Sequence, residues 1–187
     1  MKRLPPLLLF TLIGCAESES TDFVDVIPVP SAVAHGEGTF RITRATTVHV
    51  ESSEMVDVVA RQVALLRRST GFPLADASGG GATRITVTAE ASVPAEGYLL
   101  SITPEVLAIS ASTEAGVFYA FQTIRLMLPP QVESETTVVE VDWTLPAVTM
   151  EDAPRFPYRG MHLDVGRHFF DVAFIKKYID TMARPIV

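Results

Sequence analysis

One cysteine, one tryptophan and four histidines in 187 residues deny several kinds of chemistry their usual side chains. With Cys15 as the sole thiol, no intramolecular disulfide can form. His35, His49, His162 and His168 include no pair at the helical i, i+4 spacing around a Glu, so zinc-protease chemistry is not expected and no metal is assigned. The glycine-rich run Asp76–Ala82 (DASGGGA) lacks the Lys-Ser/Thr of a phosphate-binding loop and reads as a flexible connection. Basic residues are also in short supply. Fifteen Lys and Arg against 22 Asp and Glu leave a net charge of −7, which argues against a nucleic-acid partner. The apolar run near the N-terminus, Leu7 to Ile13, is too short to span a bilayer.

That run nevertheless sits in a recognisable setting. Lys2 and Arg3 precede it and LIGC (Leu12 to Cys15) follows, an arrangement that resembles the export signal of bacterial lipoproteins. The resemblance implies cleavage after Gly14 and acylation of Cys15, hence an exported chain held at a bacterial cell membrane, on the periplasmic or cell-surface side. An ordinary signal peptide with a chance cysteine is the competing reading. Loss of residues 1–14 removes two basic residues and no acidic one, so 15 Lys and Arg become 13 against 22 acids and the net charge becomes −9. Residues 15–25 then form an acidic tether too polar to fold.

Beyond the tether, apolar periodicity organises the chain. Thr39–Thr43 and Thr46–Val50 alternate as strands, and the short Arg44-Ala45 link predicts a hairpin. Ser52 or Ser53 can cap a helix whose face is Val56, Val59, Val63 and Leu66, with Arg67 and Arg68 in the last turn and Gly71 beyond. Three further strands are expected at Arg84–Ala89, Gly97–Ile102 and Val106–Ala111, the last two joined by a turn at Thr103-Pro104-Glu105. A second helix places Val117, Phe121, Ile124 and Leu128 on one stripe before Pro129 and Pro130. Val138–Trp143 reads as an edge strand and Leu145–Asp152 as extended chain. Phe118, Tyr119 and Phe121, and separately Trp143, have the chemistry of sugar platforms, but their spacing and placement favour packing. The class is α+β, with a mixed sheet covered on one face by two helices.

Residues 154–183 add a different unit. Arg159–Val165 alternates as a buried strand, ends in the polar groups Asp164, Arg167 and His168, and leads to Asp171 as N-cap of a helix with Phe174, Tyr178 and Met182 at helical spacing. Strand, polar loop and helix in that order make the repeating unit of a (β/α)8 barrel, whose ligands bind where strands run into loops. A complete barrel of about 250 residues does not fit after Pro154, so an incomplete TIM-barrel start is expected.

The stretch FPYRGMHLDVGRHF (Phe156 to Phe169) resembles the first barrel strand and loop of glycoside hydrolase family 20, the β-N-acetylhexosaminidases. Val26–Val33 and Gly97–Leu128 are similar to the α/β domain that precedes that barrel. After the signal at residues 1–14 and the tether at 15–25, the resemblance implies an N-terminal α/β domain over 26–150 and the start of a catalytic domain over 151–187. It implies removal of terminal N-acetyl-hexosamine from glycans or chitooligosaccharides, with the substrate's own 2-acetamido group as nucleophile and no cofactor. Arg167 matches the family arginine that binds sugar hydroxyls; a salt bridge with Asp164 or Asp171 is the competing reading. Asp164 and His168 match supporting neighbours, Gly166 stands where the family often has a small residue such as Ser, and Arg159 matches an arginine at the strand start with a structural role. The family's catalytic Asp-Glu pair belongs to a later strand, so no residue here is assigned as catalytic and the chain alone is expected to be inactive. A non-catalytic, surface-anchored binding or scaffolding module is the alternative. The oligomeric state is not specified by these features.

Overall fold

The computed structural model describes residues 26–76 and 82–183. The signal at 1–14, Cys15, the tether and most of the DASGGGA run lie outside them. Six strands make one sheet: β1 (Ala32–Arg41), β2 (Thr47–Val50), β3 (Arg84–Ala89), β4 (Tyr98–Ile102), β5 (Val106–Ala111) and β6 (Thr144–Asp152), in the order β1-β6-β4-β5-β3-β2. The first three pairings are antiparallel, and β5/β3 and β3/β2 are parallel. The helices are α1 (Val56–Thr70), α2 (Glu114–Met127) and α3 (Val172–Met182).

Period-two alternation decides which sheet face is buried. Ile85 and Val87 on β3, Leu100 and Ile102 on β4, and Leu107 and Ile109 on β5 point into the core. Thr86, Thr88, Ser101, Ala108 and Ser110 occupy the half-buried opposite face. α2 packs across β4 and β5 with Val117, Ala120, Phe121 and Ile124 inward, and α1 packs beside it through Val59, Val63 and Leu66. A hydrogen bond from Gln122 to Gln62, 3.3 Å, satisfies the two buried amides between the helices. The α+β expectation of a mixed sheet with two covering helices therefore holds.

Both covering helices end as their sequences dictate. Gly71 adopts φ 68°, its N–H donates to Arg67 O at 2.9 Å, and Arg67 itself donates to Pro73 O and Leu74 O at 2.7 and 2.8 Å. The start of α1 differs from expectation. Neither Ser52 nor Ser53 supplies a side-chain cap; a 3-10 turn at Ser53–Met55 leads in, and Met55 is buried while Val56 is 47% exposed. α2 begins at Thr113, whose hydroxyl accepts from Gly116 N–H, and its N-terminus abuts Gly97 so closely that a Cβ on Gly116 would lie 2.1 Å from the Gly97 carbonyl oxygen.

Three expectations are corrected. Thr39–Thr43 and Thr46–Val50 do not form a hairpin: β1 and β2 lie at opposite edges of the sheet. Arg44-Ala45 has neither the Gly nor the Asn that a two-residue hairpin turn demands. The turn is closed instead by Thr43 and Thr46, and the Thr46 hydroxyl pairs with that of Thr83 at 2.6 Å at the foot of β3. Val138–Trp143 is not a strand, because Val138 N–H donates to Ser69 O, the Thr137 hydroxyl to Arg68 O, and Glu140 has φ 61°. The strand that follows, β6, is internal rather than at an edge. Arg159–Val165 forms no ladder and is not buried; Met161 and Val165 are 55% and 61% exposed. Its alternation has no neighbouring strand to pair with among the described residues. Phe121 and Trp143 are core residues, and Phe118 and Tyr119 pack against the core, so packing rather than sugar stacking accounts for them.

Candidate functional site

The polar loop between the extended segment at 159–165 and α3 is built around one carboxylate. Asp164 Oδ1 accepts from the N–H groups of Gly166 and Arg167 at 2.9 and 3.2 Å, which turns the chain sharply. Asp164 Oδ2 receives Arg167 Nε at 3.2 Å. Asp171 does not join this pair; it caps α3, accepting from Phe174 N–H at 2.7 Å. Rings then tie loop to helix. His168 meets Phe170 edge-on at 4.9 Å, Phe170 stacks on Phe174 at 4.3 Å, and Phe174 lies 6.3 Å from Tyr178. The Tyr178 hydroxyl donates to His162 O at 3.3 Å, closing the loop on the strand-like segment.

Asp164, Arg167 and His168 are thus brought onto one loop. The Arg167 side chain is 92% exposed, so its ion pair contributes little stability by itself. Its consequence is orientation. With Nε directed at Asp164, the terminal nitrogens of a planar five-donor cation face outward, in a geometry able to hold two neighbouring hydroxyls. The salt-bridge reading and the ligand reading are compatible, because the bridge is what aims the guanidinium. Cys15 lies outside the described residues. Among the described residues, no group of three His, Cys, Asp or Glu side chains is placed to hold a metal ion, and no helix is long and apolar enough to cross a membrane.

A second constellation joins the segment at 154–161 to the sheet. Arg159 donates to both oxygens of Glu96 at 3.0 and 3.3 Å, to the Tyr119 hydroxyl at 2.8 Å and to Phe156 O at 2.7 Å. The bidentate carboxylate contact holds the guanidinium above even its ordinary high range, more than offsetting partial burial. These contacts border a cleft of about 980 Å³, walled by Glu96, Tyr98, Tyr119, Asp152, Phe156 and Tyr158. The expectation that Arg159 is structural agrees with this geometry. Its partners were not legible in the sequence: Glu96 and Tyr119 are 63 and 40 residues away, and no spacing rule links either to Arg159.

Known proteins are similar to both parts of the chain. A family model described as glycosyl hydrolase family 20, domain 2, matches residues 24–153, and one described as glycosyl hydrolase family 20, catalytic domain, matches residues 156–185. A β-hexosaminidase of Porphyromonas gingivalis is 32% identical over 186 residues, covering 94% of this chain and 24% of that protein. A β-N-acetylhexosaminidase of Cellulomonas fimi is 32% identical over 166 residues, with 86% and 32% covered. The solved structure of a Streptomyces plicatus N-acetyl-β-hexosaminidase in complex with Thio-NAglucal superposes with a TM-score of 0.77 at 39% identity, over 87% of this chain and 33% of that one. The chain thus spans about a quarter to a third of the length of these relatives.

Proposed function

The chain belongs to glycosyl hydrolase family 20, and from that premise we propose that it supplies the N-terminal α/β domain, residues 26–150, and the opening segment of the catalytic domain, residues 151–187, of a β-N-acetylhexosaminidase. The enzyme removes terminal N-acetyl-hexosamine from glycans or chitooligosaccharides, the substrate's acetamido group serving as nucleophile. Arg167 binds the hydroxyls of the terminal sugar, Asp164 aims it, and His168 supports the loop. The observation that carries this reading is the exposed guanidinium of Arg167 held at Nε by Asp164. Anchoring at the cell membrane through acylated Cys15 belongs to the same proposal.

No Asp is followed directly by Glu in the 187 residues, and the one adjacent acidic pair of reverse order, Glu151-Asp152, closes β6, so the chain by itself does not turn over a chromogenic N-acetylglucosaminide. Measurable turnover by the purified chain would overturn that statement. The role of Arg167 is tested in a chimera, with residues 26–183 replacing the matching segment of the Streptomyces plicatus enzyme. Loss of charged hydrogen bonds to sugar hydroxyls is worth about 1.5–3 kcal/mol, so Arg167→Ala is expected to lower kcat/KM about 10- to 100-fold. An unchanged kcat/KM in an active chimera removes Arg167 from the site.

A further inference from the structure

We infer that Arg159 is a positioning residue, a clamp through which the α/β domain fixes where the Arg167 loop stands. β6 ends at Asp152, and beyond it no strand ladder guides the chain among the described residues. Arg159 is the group that gives this segment a defined direction. Its guanidinium makes three hydrogen bonds to the α/β domain, two to Glu96 and one to Tyr119, and a fourth to Phe156 O within its own segment. A fork of this kind sets angle as well as distance, which a single ammonium does not.

The anchors themselves are rigid. Glu96 sits in the turn before β4, where Gly97 N–H donates to Pro94 O at 2.8 Å and the Thr113 hydroxyl donates to Ala95 O. Gly97 is the residue against which Gly116 of α2 closes. Tyr119 rides on the same helix, its ring edge-on to Phe118 at 5.5 Å. The clamp therefore grips the corner where β4 and α2 meet. At the other end, the rings and the Tyr178 hydroxyl tie the loop to α3, but no residue of α3 is buried, so that helix is not itself packed into the core of the α/β domain. Only four residues lie between Arg159 and Asp164, whose carboxylate makes the turn that presents Arg167. A shift at the clamp is carried to the loop over that short span. This deepens the reading of the Arg167 loop as a sugar site and depends on it for the functional consequence, whereas the clamp is a statement about geometry.

The test uses the full 187-residue chain with Cys15→Ser and spin labels at Ala64→Cys, exposed on α1, and Phe169→Cys, exposed on the loop. Pulsed dipolar spectroscopy reads the distance distribution between them. A single narrow distribution is expected with Arg159 in place. Arg159→Met is expected to broaden it at least twofold, Arg159→Lys to broaden it by less, and the exchanged pair Arg159→Glu with Glu96→Arg to narrow it again. A merely stabilising role moves the melting temperature but not this width. If Arg159→Met fails to fold by circular dichroism, Glu96→Gln with Tyr119→Phe takes its place, with the same broadening expected. An unchanged width in a folded variant overturns the clamp. Failure of the sugar reading is a separate event, an Arg167→Ala chimera with undiminished turnover, and leaves the distance result standing.

Discussion

Tyr98 is 3% exposed, and its hydroxyl pairs with that of Thr123 at 2.7 Å. Burial pushes its phenol up to about 12 from an ordinary value of 10.0. The fold prefers the neutral ring, so this contribution is complete below about pH 10 and is lost as pH rises through about 12. Denaturant titrations across that window are expected to show stability falling by about 2 kcal/mol, and Tyr98→Phe to flatten this part of the decline. The phenylalanine variant is also expected to be about 1 kcal/mol less stable at neutral pH, from the lost hydrogen bond. Gly116 makes a sharper demand. A methyl group there meets the backbone carbonyl of Gly97 at 2.1 Å, and backbone cannot swing aside as a flexible side chain does. Gly116→Ala is expected to cost about 2 kcal/mol or more despite alanine's better helix propensity, measured as a lower urea midpoint at unchanged slope.

Among the elements, α1 and α2 owe their stability to a shared core, whereas α3 buries no side chain and stands on its cap and its aromatic stripe. Isolated helices of 11 residues are marginal in water. Amide exchange in the 187-residue chain is therefore expected to be fast over 172–182 and slow over 58–66 and 117–124. Asp171→Ala removes the hydrogen bond to Phe174 N–H and is expected to weaken α3 by about 1 kcal/mol. Its reading is helical signal and exchange in α3, with the main unfolding transition unmoved. Equal protection of α3 and α2 would contradict this ordering.

For the whole molecule, exposed apolar side chains concentrate after residue 155: Phe156, Tyr158, Met161, Val165, Phe169 and Val172 are each more than half exposed. Surfaces of that kind associate. Sedimentation velocity on the 187-residue chain is expected to show concentration-dependent self-association, and Phe169→Ser with Val172→Ser to reduce it while leaving the melting temperature unchanged. The proposed anchor is read at the same scale. Cys15→Ser is expected to move the expressed chain from the membrane fraction to the soluble fraction, and an unmoved distribution would remove lipidation from the proposal.

Local chemistry in the sequence determined much of this protein. Alternation located β3, β4 and β5, spacing of Val117, Phe121 and Ile124 located α2, Gly71 marked the end of α1, and Asp171 the start of α3, because each depends on neighbours within a few residues. The residues of the Asp164 loop were legible as a polar cluster after an alternating stretch and by the family resemblance, while the local hydrogen bonds that turn the loop came only with the structure. Partner choice was decided only by tertiary structure. A period-two pattern names a strand but not its neighbour, so β1 and β2 were expected together and lie at opposite edges, and Arg159–Val165 alternates without a ladder. The grip of Arg159 on Glu96 and Tyr119 is of that second kind, a contact that exists only once α2 and the turn before β4 have packed into one corner.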